Sequence, residues 1–191
     1  MKLSIYTIIS FLFLSYLSAL FSQSRCVYGD CVNGTGSMTY YNGDKYTGQF
    51  EMGKKSGKGT YYFYGGDKYE GEFKNDMPNG KGEAILRNGN RYEGHFKDNY
   101  PDGEGTMTYQ KGHKYIGSWR KGLKNGFGTM YYKSGAVYRG QWVNGLKAGK
   151  GTMEFDRKPL SPRIAQKPQK TRKIKQMRKI SQPFWRGVNK N

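Results

Sequence analysis

A period constrains this chain more than anything else in it. Tyrosine returns at Tyr46, Tyr69, Tyr92, Tyr115 and Tyr138, each 23 residues after the last. Four glycine columns keep the same step: Gly48/71/94/117/140, Gly34/57/80/103/126/149, Gly36/59/82/105/128/151 and Gly43/66/89/112/135. Twenty-two of the 28 glycines fall on them. A fixed period of this length marks an array in which each unit is one supersecondary element stacked on its neighbours.

Inside a unit the periodicity is two. Tyr92, Gly94 and Phe96 alternate with polar residues, as do Tyr115, Gly117 and Trp119, and Tyr138, Gly140 and Trp142, so each trio shares one face of a strand. Gly103, Gly105, Met107 and Tyr109 alternate with Glu104, Thr106 and Thr108, which predicts a second strand. The link inside the unit reads as a loop of about six residues rich in Asn, Pro, Gly and Lys, on the turn chemistry of those residues. The link between units carries Asn42-Gly43, Gly65-Gly66, Asn88-Gly89, Lys111-Gly112 or Ser134-Gly135. Asn-Gly and Gly-Gly there predict a type I′ hairpin turn, whose two central residues both need positive φ. Glycine weakens a strand unless something uses the bare backbone. A tyrosine or tryptophan ring lying across it on the packed face supplies that use. The expected fold is all-β: an elongated antiparallel β-hairpin ladder of about five and a half repeats, each advancing the sheet by about 10 Å.

The pattern Y-x-G-x-[FW] followed by G-x-G-[TE] at this period resembles the MORN (membrane occupation and recognition nexus) repeat. The resemblance covers five units from Tyr46 to about Asp156 and a truncated one before them, from Cys26 to Lys45, that lacks the opening Tyr and first Gly. It implies repeat-core roles for Tyr46, Gly48, Tyr69, Gly71, Tyr92, Gly94, Tyr115, Gly117, Tyr138 and Gly140. It also implies a module for membrane association, oligomerisation or protein docking. No attached catalytic domain is expected.

Three segments are expected: residues 1–24 as an export signal, 25–156 as the array and 157–191 as a tail. Lys2 is followed by nineteen uncharged residues rich in Leu, Ile and Phe, and Ser22 and Ser24 supply small residues for cleavage. An uncleaved anchor is the alternative, since such a run nearly spans a hydrocarbon core of about 30 Å. The chain is therefore expected to be exported, to a periplasm, a cell envelope or the outside. Cys26 and Cys31 are the only cysteines, and behind an export signal they are expected to pair and pin the terminal hairpin. A redox or metal pair is the competing reading, poorly served by this spacing with no histidine near.

The array holds 20 basic and 14 acidic residues, so it is only mildly basic. Lys45, Lys68, Arg91 and Lys114 precede successive tyrosines and project from the opposite face, either as a solvated strand face or as a stripe for an acidic partner or membrane. Residues 157–191 hold twelve Lys or Arg, four prolines and no acid, a composition that cannot build a core and reads as disordered. Candidate anion-binding residues there are Arg172, Lys173, Lys175, Arg178 and Lys179, with Phe184 and Trp185 as an interfacial anchor. An anionic membrane suits this set, each Lys or Arg near the surface contributing about 1 kcal/mol. Nucleic acid is disfavoured for an exported chain.

Catalysis has little support. His95 and His113 are the only histidines, and neither stands in a nucleophile context. Glu70, Glu72, Glu93 and His95 form the best acid/base or metal constellation, on ordinary repeat-variable positions. No cofactor, metal or small-molecule substrate is expected. The reading is a non-catalytic exported scaffold that docks a protein partner or itself. A polyanion-binding protein with the ladder as spacer, or an enzyme subunit, are the alternatives.

Overall fold

The computed structural model describes residues 24–155; the segment read as an export signal, residues 1–24, lies outside them but for Ser24, and the tail, residues 157–191, lies wholly outside. Twelve strands follow one another: β1 Arg25–Gly29, β2 Thr35–Thr39, β3 Lys45–Glu51, β4 Lys54–Tyr62, β5 Lys68–Lys74, β6 Met77–Ile85, β7 Arg91–Lys97, β8 Tyr100–Thr108, β9 Lys114–Arg120, β10 Leu123–Tyr131, β11 Val137–Val143 and β12 Leu146–Glu154. They form one open sheet in sequence order, each strand antiparallel to the next. The expected all-β ladder is therefore the fold, and no helix occurs among the described residues. The truncated first unit supplies β1 and β2, and Cys26 and Cys31 are joined by a disulfide there.

The connections differ from expectation in both places. Inside a unit the link is a two-residue turn, not a loop of six, and the second strand starts earlier, at Tyr100 rather than Gly103. Both turn residues have positive φ, as at Asp98 (49°) and Asn99 (72°), which is type I′ geometry. Asn and Asp tolerate that region better than other non-glycine residues, so Asn75-Asp76 and Asp98-Asn99 turn without glycine. Between units the link is five residues long, and only the glycine of Asn88-Gly89 takes a positive φ. Gly89 N–H donates to the Leu86 carbonyl at 2.8 Å and Leu86 N–H to the Asn90 carbonyl at 2.8 Å, a type I turn closed by a left-handed glycine.

The prolines explain why the strand start was hidden. Pro101 reads as a loop residue, yet it sits inside β8 opposite Phe96. The equivalent position in the first full repeat is Lys55, whose N–H bonds the Asp76 side chain at 2.9 Å rather than the strand ladder. Proline at this column therefore removes no ladder bond.

The first glycine of each G-x-G marks a bulge. In β7 and β8 the register runs to Gly94 opposite Gly105 and then jumps to Phe96 opposite Pro101. Gly103 lies within that jump with φ 101°, and it still pairs with Trp119 of β9 on the other side. The extra residue bends the strand there and increases its local twist.

That face is the core. Tyr46, Tyr92 and Tyr115 have no exposure at all, and Phe50, Tyr69, Phe73, Phe96, Trp119, Tyr138, Trp142, Ala84, Met107 and Met130 are buried beside them. Met38, Tyr61, Tyr109, Tyr132 and Met153 of the second strands and the links after them pack against it, while Phe155, just past the last strand, is exposed.

Candidate functional site

Each repeat tyrosine is held at both ends. Its ring covers the glycine pair of its own hairpin, as Tyr92 covers Gly94 and Gly105, which stand opposite each other. Its hydroxyl donates to the carbonyl three residues on: Tyr46 to Gln49 at 2.9 Å, Tyr69 to Glu72 at 2.9 Å, Tyr92 to His95 at 3.0 Å, Tyr115 to Ser118 at 3.0 Å and Tyr138 to Gln141 at 3.3 Å. Burial pushes these phenols well above their ordinary value. Gly48, Gly71, Gly117 and Gly140 occupy the same place under their rings as Gly94.

The rings also meet edge to face from one repeat to the next. Tyr46 touches Phe50 and Phe73, Tyr69 touches Phe73 and Phe96, and Tyr92 touches Phe96 and Trp119, with centroids 4.9–5.2 Å apart. Tyr115 continues the series to Trp119 at 5.2 Å and Trp142 at 5.3 Å. Where tryptophan replaces phenylalanine its indole N–H finds a carbonyl in the preceding repeat, Trp119 to Gly105 and Trp142 to Gly128, both at 3.2 Å. The face is thus one aromatic seam, and each contact of this geometry adds about 0.5–1.5 kcal/mol beyond area burial.

Along one margin of this seam runs a column that sequence reasoning assigned to a loop: Lys55, Pro78, Pro101, Lys124 and Lys147. Lys55 Nζ lies over the Tyr40 and Tyr61 rings, 5.0 and 5.2 Å from their centroids, and pairs with Asp76 at 3.3 Å. Lys124 Nζ lies over Trp142 at 4.5 Å, Tyr115 at 5.3 Å and Tyr109 at 5.8 Å. Lys147 Nζ lies over Tyr138 at 4.3 Å and Tyr132 at 5.1 Å. The 23-residue spacing of these lysines was the available signal, masked by the prolines that share their column.

The opposite face carries the expected basic row, but it is half neutralised. Lys68 pairs with Glu70 at 2.7 Å, and Arg91 with Glu83 at 2.5 Å and Glu93 at 3.7 Å. Lys45 and Lys114 enter no ion pair among the described residues. Tyr62, Ile85 and Tyr131 are exposed between these cations, since Lys45 stands opposite Tyr62, Lys68 opposite Ile85 and Lys114 opposite Tyr131. Arg172, Lys173, Lys175, Arg178, Lys179, Phe184 and Trp185 lie outside the described residues.

Glu70, Glu72, Glu93 and His95 do not gather. Glu70 and Glu93 are held by Lys68 and Arg91, and His95 Nδ1 lies 3.4 Å from the Glu104 carbonyl. Among the described residues no group of three or more His, Cys, Asp or Glu is placed to hold a metal. His113 is structural: its Nδ1 accepts the Lys133 N–H at 3.1 Å, in the column where Asp44, Asp67 and Asn90 accept from Tyr64, Arg87 and Gln110. A shallow hollow beside His95, Lys97, Asp102 and Glu104 is open to solvent.

The MORN repeat family model matches residues 46–68, 69–91, 92–114, 115–137 and 138–156. The hairpin before residue 46 lies outside the matched segments, although β1 and β2 continue the sheet. No curated protein is matched. Among solved structures, the SAS-4 (dCPAP) TCP domain of Drosophila melanogaster, in complex with a proline-rich motif of Ana2 (dSTIL), is similar at 11% identity and a TM-score of 0.42, over 62% of this chain and 64% of that one. The wild-type TCP10 domain of Danio rerio CPAP, in complex with a peptide of Danio rerio STIL, is similar at 18% identity and a TM-score of 0.26, over 56% of this chain and 52% of that one.

Proposed function

This chain belongs to the MORN-repeat family, and on that premise we propose that it is a non-catalytic, exported scaffold whose ladder docks a protein partner or a second copy of itself, held at an anionic membrane surface by residues 157–191. The observation that carries this reading is the division of labour in the chain. The twelve-stranded ladder gives a long, open, regular sheet surface with no metal cluster among the described residues, while the positive charge is concentrated beyond it. Such a face suits a macromolecular partner, whereas a small-molecule site is concave and buries most of its ligand. The twelve basic residues of 157–191 have no acid among them, and Phe184 and Trp185 supply an interfacial element.

The test has two arms. The first is recovery of the exported chain with what accompanies it: a stoichiometric protein partner or a defined homo-oligomer is expected, and a monomer that turns over a small molecule unaided overturns the scaffold. The second is sedimentation with phosphatidylserine-containing vesicles. The full chain is expected to co-sediment and a chain ending at Asp156 is not; equal binding by both transfers the membrane contact to the ladder.

A further inference from the structure

Lys55, Lys124 and Lys147 occupy one repeat column and all three ammoniums rest on aromatic faces, yet among the described residues only Lys55 has a counter-ion. Lys55 takes it from the tight turn of the next hairpin, where Asp76 Oδ1 accepts both the Lys55 ammonium at 3.3 Å and its backbone N–H at 2.9 Å. The backbone of that turn is anchored to the lysine as well, Asp76 N–H donating to the Lys55 carbonyl at 3.0 Å. The same anchor exists at Lys124: Gly145 N–H donates to its carbonyl at 2.9 Å. Residue 145 is therefore the structural counterpart of Asp76, and it has no side chain. A Cβ built there meets nothing nearer than Leu123 Cδ2 at 4.0 Å. For Lys147 the ladder has no following hairpin among the described residues to offer a carboxylate.

We propose that Lys124 and Lys147, with Tyr109, Tyr132 and Trp142, form a carboxylate-binding site that receives an acidic side chain from a protein partner. The geometry of Lys55 and Asp76 supplies the pattern, and Lys124 keeps an aromatic bed and the backbone anchor to the turn but not the anion. Aromatic faces attract an ammonium but bring neither net charge nor a strong hydrogen-bond acceptor. Two partly buried cations in successive repeats, with no ion pair among the described residues, form an arrangement that a carboxylate relieves. Burial, with Lys147's charge added, pulls the Lys124 ammonium down to about 8, whereas at Lys55 the carboxylate of Asp76 opposes the same effect of burial. Residues 157–191 contain no acidic side chain, so they do not supply the missing group. A carboxylate fits better than a phosphate, since the space left open at Gly145 is that of an aspartate side chain on the same backbone.

This inference rests on the ladder being a protein-docking module, and its test is separable from that reading. The full chain, with 13C- and 15N-labelled lysine, is titrated at about 150 mM salt with a blocked tetraglutamate peptide, and in parallel with inorganic phosphate. Saturable shifts of the Lys124 and Lys147 side-chain signals are expected with the peptide. Lys124→Met is expected to weaken binding at least tenfold, read on Lys147. Gly145→Asp carries the decisive weight: Asp76 already holds this left-handed turn position at φ 69°, so the variant is expected to fold, to ion-pair Lys124 within the chain and to lose the peptide response. Equal peptide affinity in Gly145→Asp and wild type overturns the site. So does a shift spread evenly over all lysines, which is screening by the basic segment, and so does phosphate saturating the pair as tightly as the peptide. A partner recovered with the exported chain whose binding ignores both substitutions leaves the scaffold reading intact and removes this one.

Discussion

The ring of Tyr92 fills the space that a side chain at Gly105 would occupy, so the tyrosine and the glycine act as the two halves of a single packing unit. Gly94, opposite Gly105, completes it: a Cβ there would lie 2.5 Å from the Gly105 Cα and 2.6 Å from the Tyr92 hydroxyl oxygen. Backbone on one side and a fully buried ring on the other leave no easy relief.

Gly94→Val is accordingly expected to destabilise the ladder by about 2 kcal/mol or more, the upper part of the range for overpacking a core. His95→Ala, one residue along and exposed, is expected to stay within about 0.5 kcal/mol. Urea unfolding of both variants checks the order. Equal effects would mean that the rings do not rest on the glycines.

Loss of the Cys26–Cys31 bond is expected to loosen one end only. The bond closes a loop six residues long within the first hairpin, for which chain entropy predicts about 2 kcal/mol. In a stack where each unit touches only its neighbours, that loss stays local. Hydrogen exchange of Cys31→Ser should show β1 and β2 opening while amides around Tyr92 keep their protection; uniform loss of protection would contradict the nearest-neighbour picture.

High pH should unfold the array steeply. Tyr46, Tyr69, Tyr92 and Tyr115 are buried and held neutral well above 10, where the unfolded chain's tyrosines ionise. Above about pH 10 the unfolded state therefore binds fewer protons than the native one, and stability falls as pH rises. Four such groups lose about 5 kcal/mol per pH unit, comparable with the whole stability of a domain. Far-ultraviolet circular dichroism should be flat from pH 7 to 10 and collapse within about a unit above it. A transition that begins near pH 8 would assign the effect to lysines instead.

Vesicle binding should follow residues 157–191 more than the ladder. Lys68 and Arg91 are already paired with Glu70, Glu83 and Glu93, so only Lys45 and Lys114 of that row keep their charge without an ion pair. Lys45→Glu with Lys114→Glu is expected to weaken sedimentation less than removal of residues 157–191. Binding by the full chain should fade as salt shortens the Debye length from about 10 Å at 0.1 M to about 3 Å at 1 M. A salt-independent interaction would point to residues 3–21 entering the bilayer.

What could be read from residues alone was whatever repeats with a side chain that has one structural use. Tyr92, Gly94 and Phe96 alternate with period two, and a ring recurring beside bare backbone has one evident use, to lie across it. The turns were misplaced because Asn88-Gly89 and Asp98-Asn99 both accept left-handed geometry, and only hydrogen-bond register decides whether one residue or two adopt it. Lys124 was passed over because its neighbour across the fold, Gly145, lies 21 residues away, and the relationship appears only when Lys55 and Asp76 are seen to occupy the same places. The absence of a carboxylate is visible only against a copy that has one.

The strictly sequential strand order has a mechanical corollary. With the first strand at one edge and the last at the other, tension applied between the ends of the sheet passes through every strand pair in series. Each repeat then bears the full load, and the weakest hairpin yields while the others keep their seam. One repeat of 23 residues releases about 80 Å of chain when drawn out, so the ladder lengthens in even steps like a set of identical fuses. The Cys26–Cys31 bond shortens what the first hairpin can give up, so most of the extension comes from the repeats that follow it.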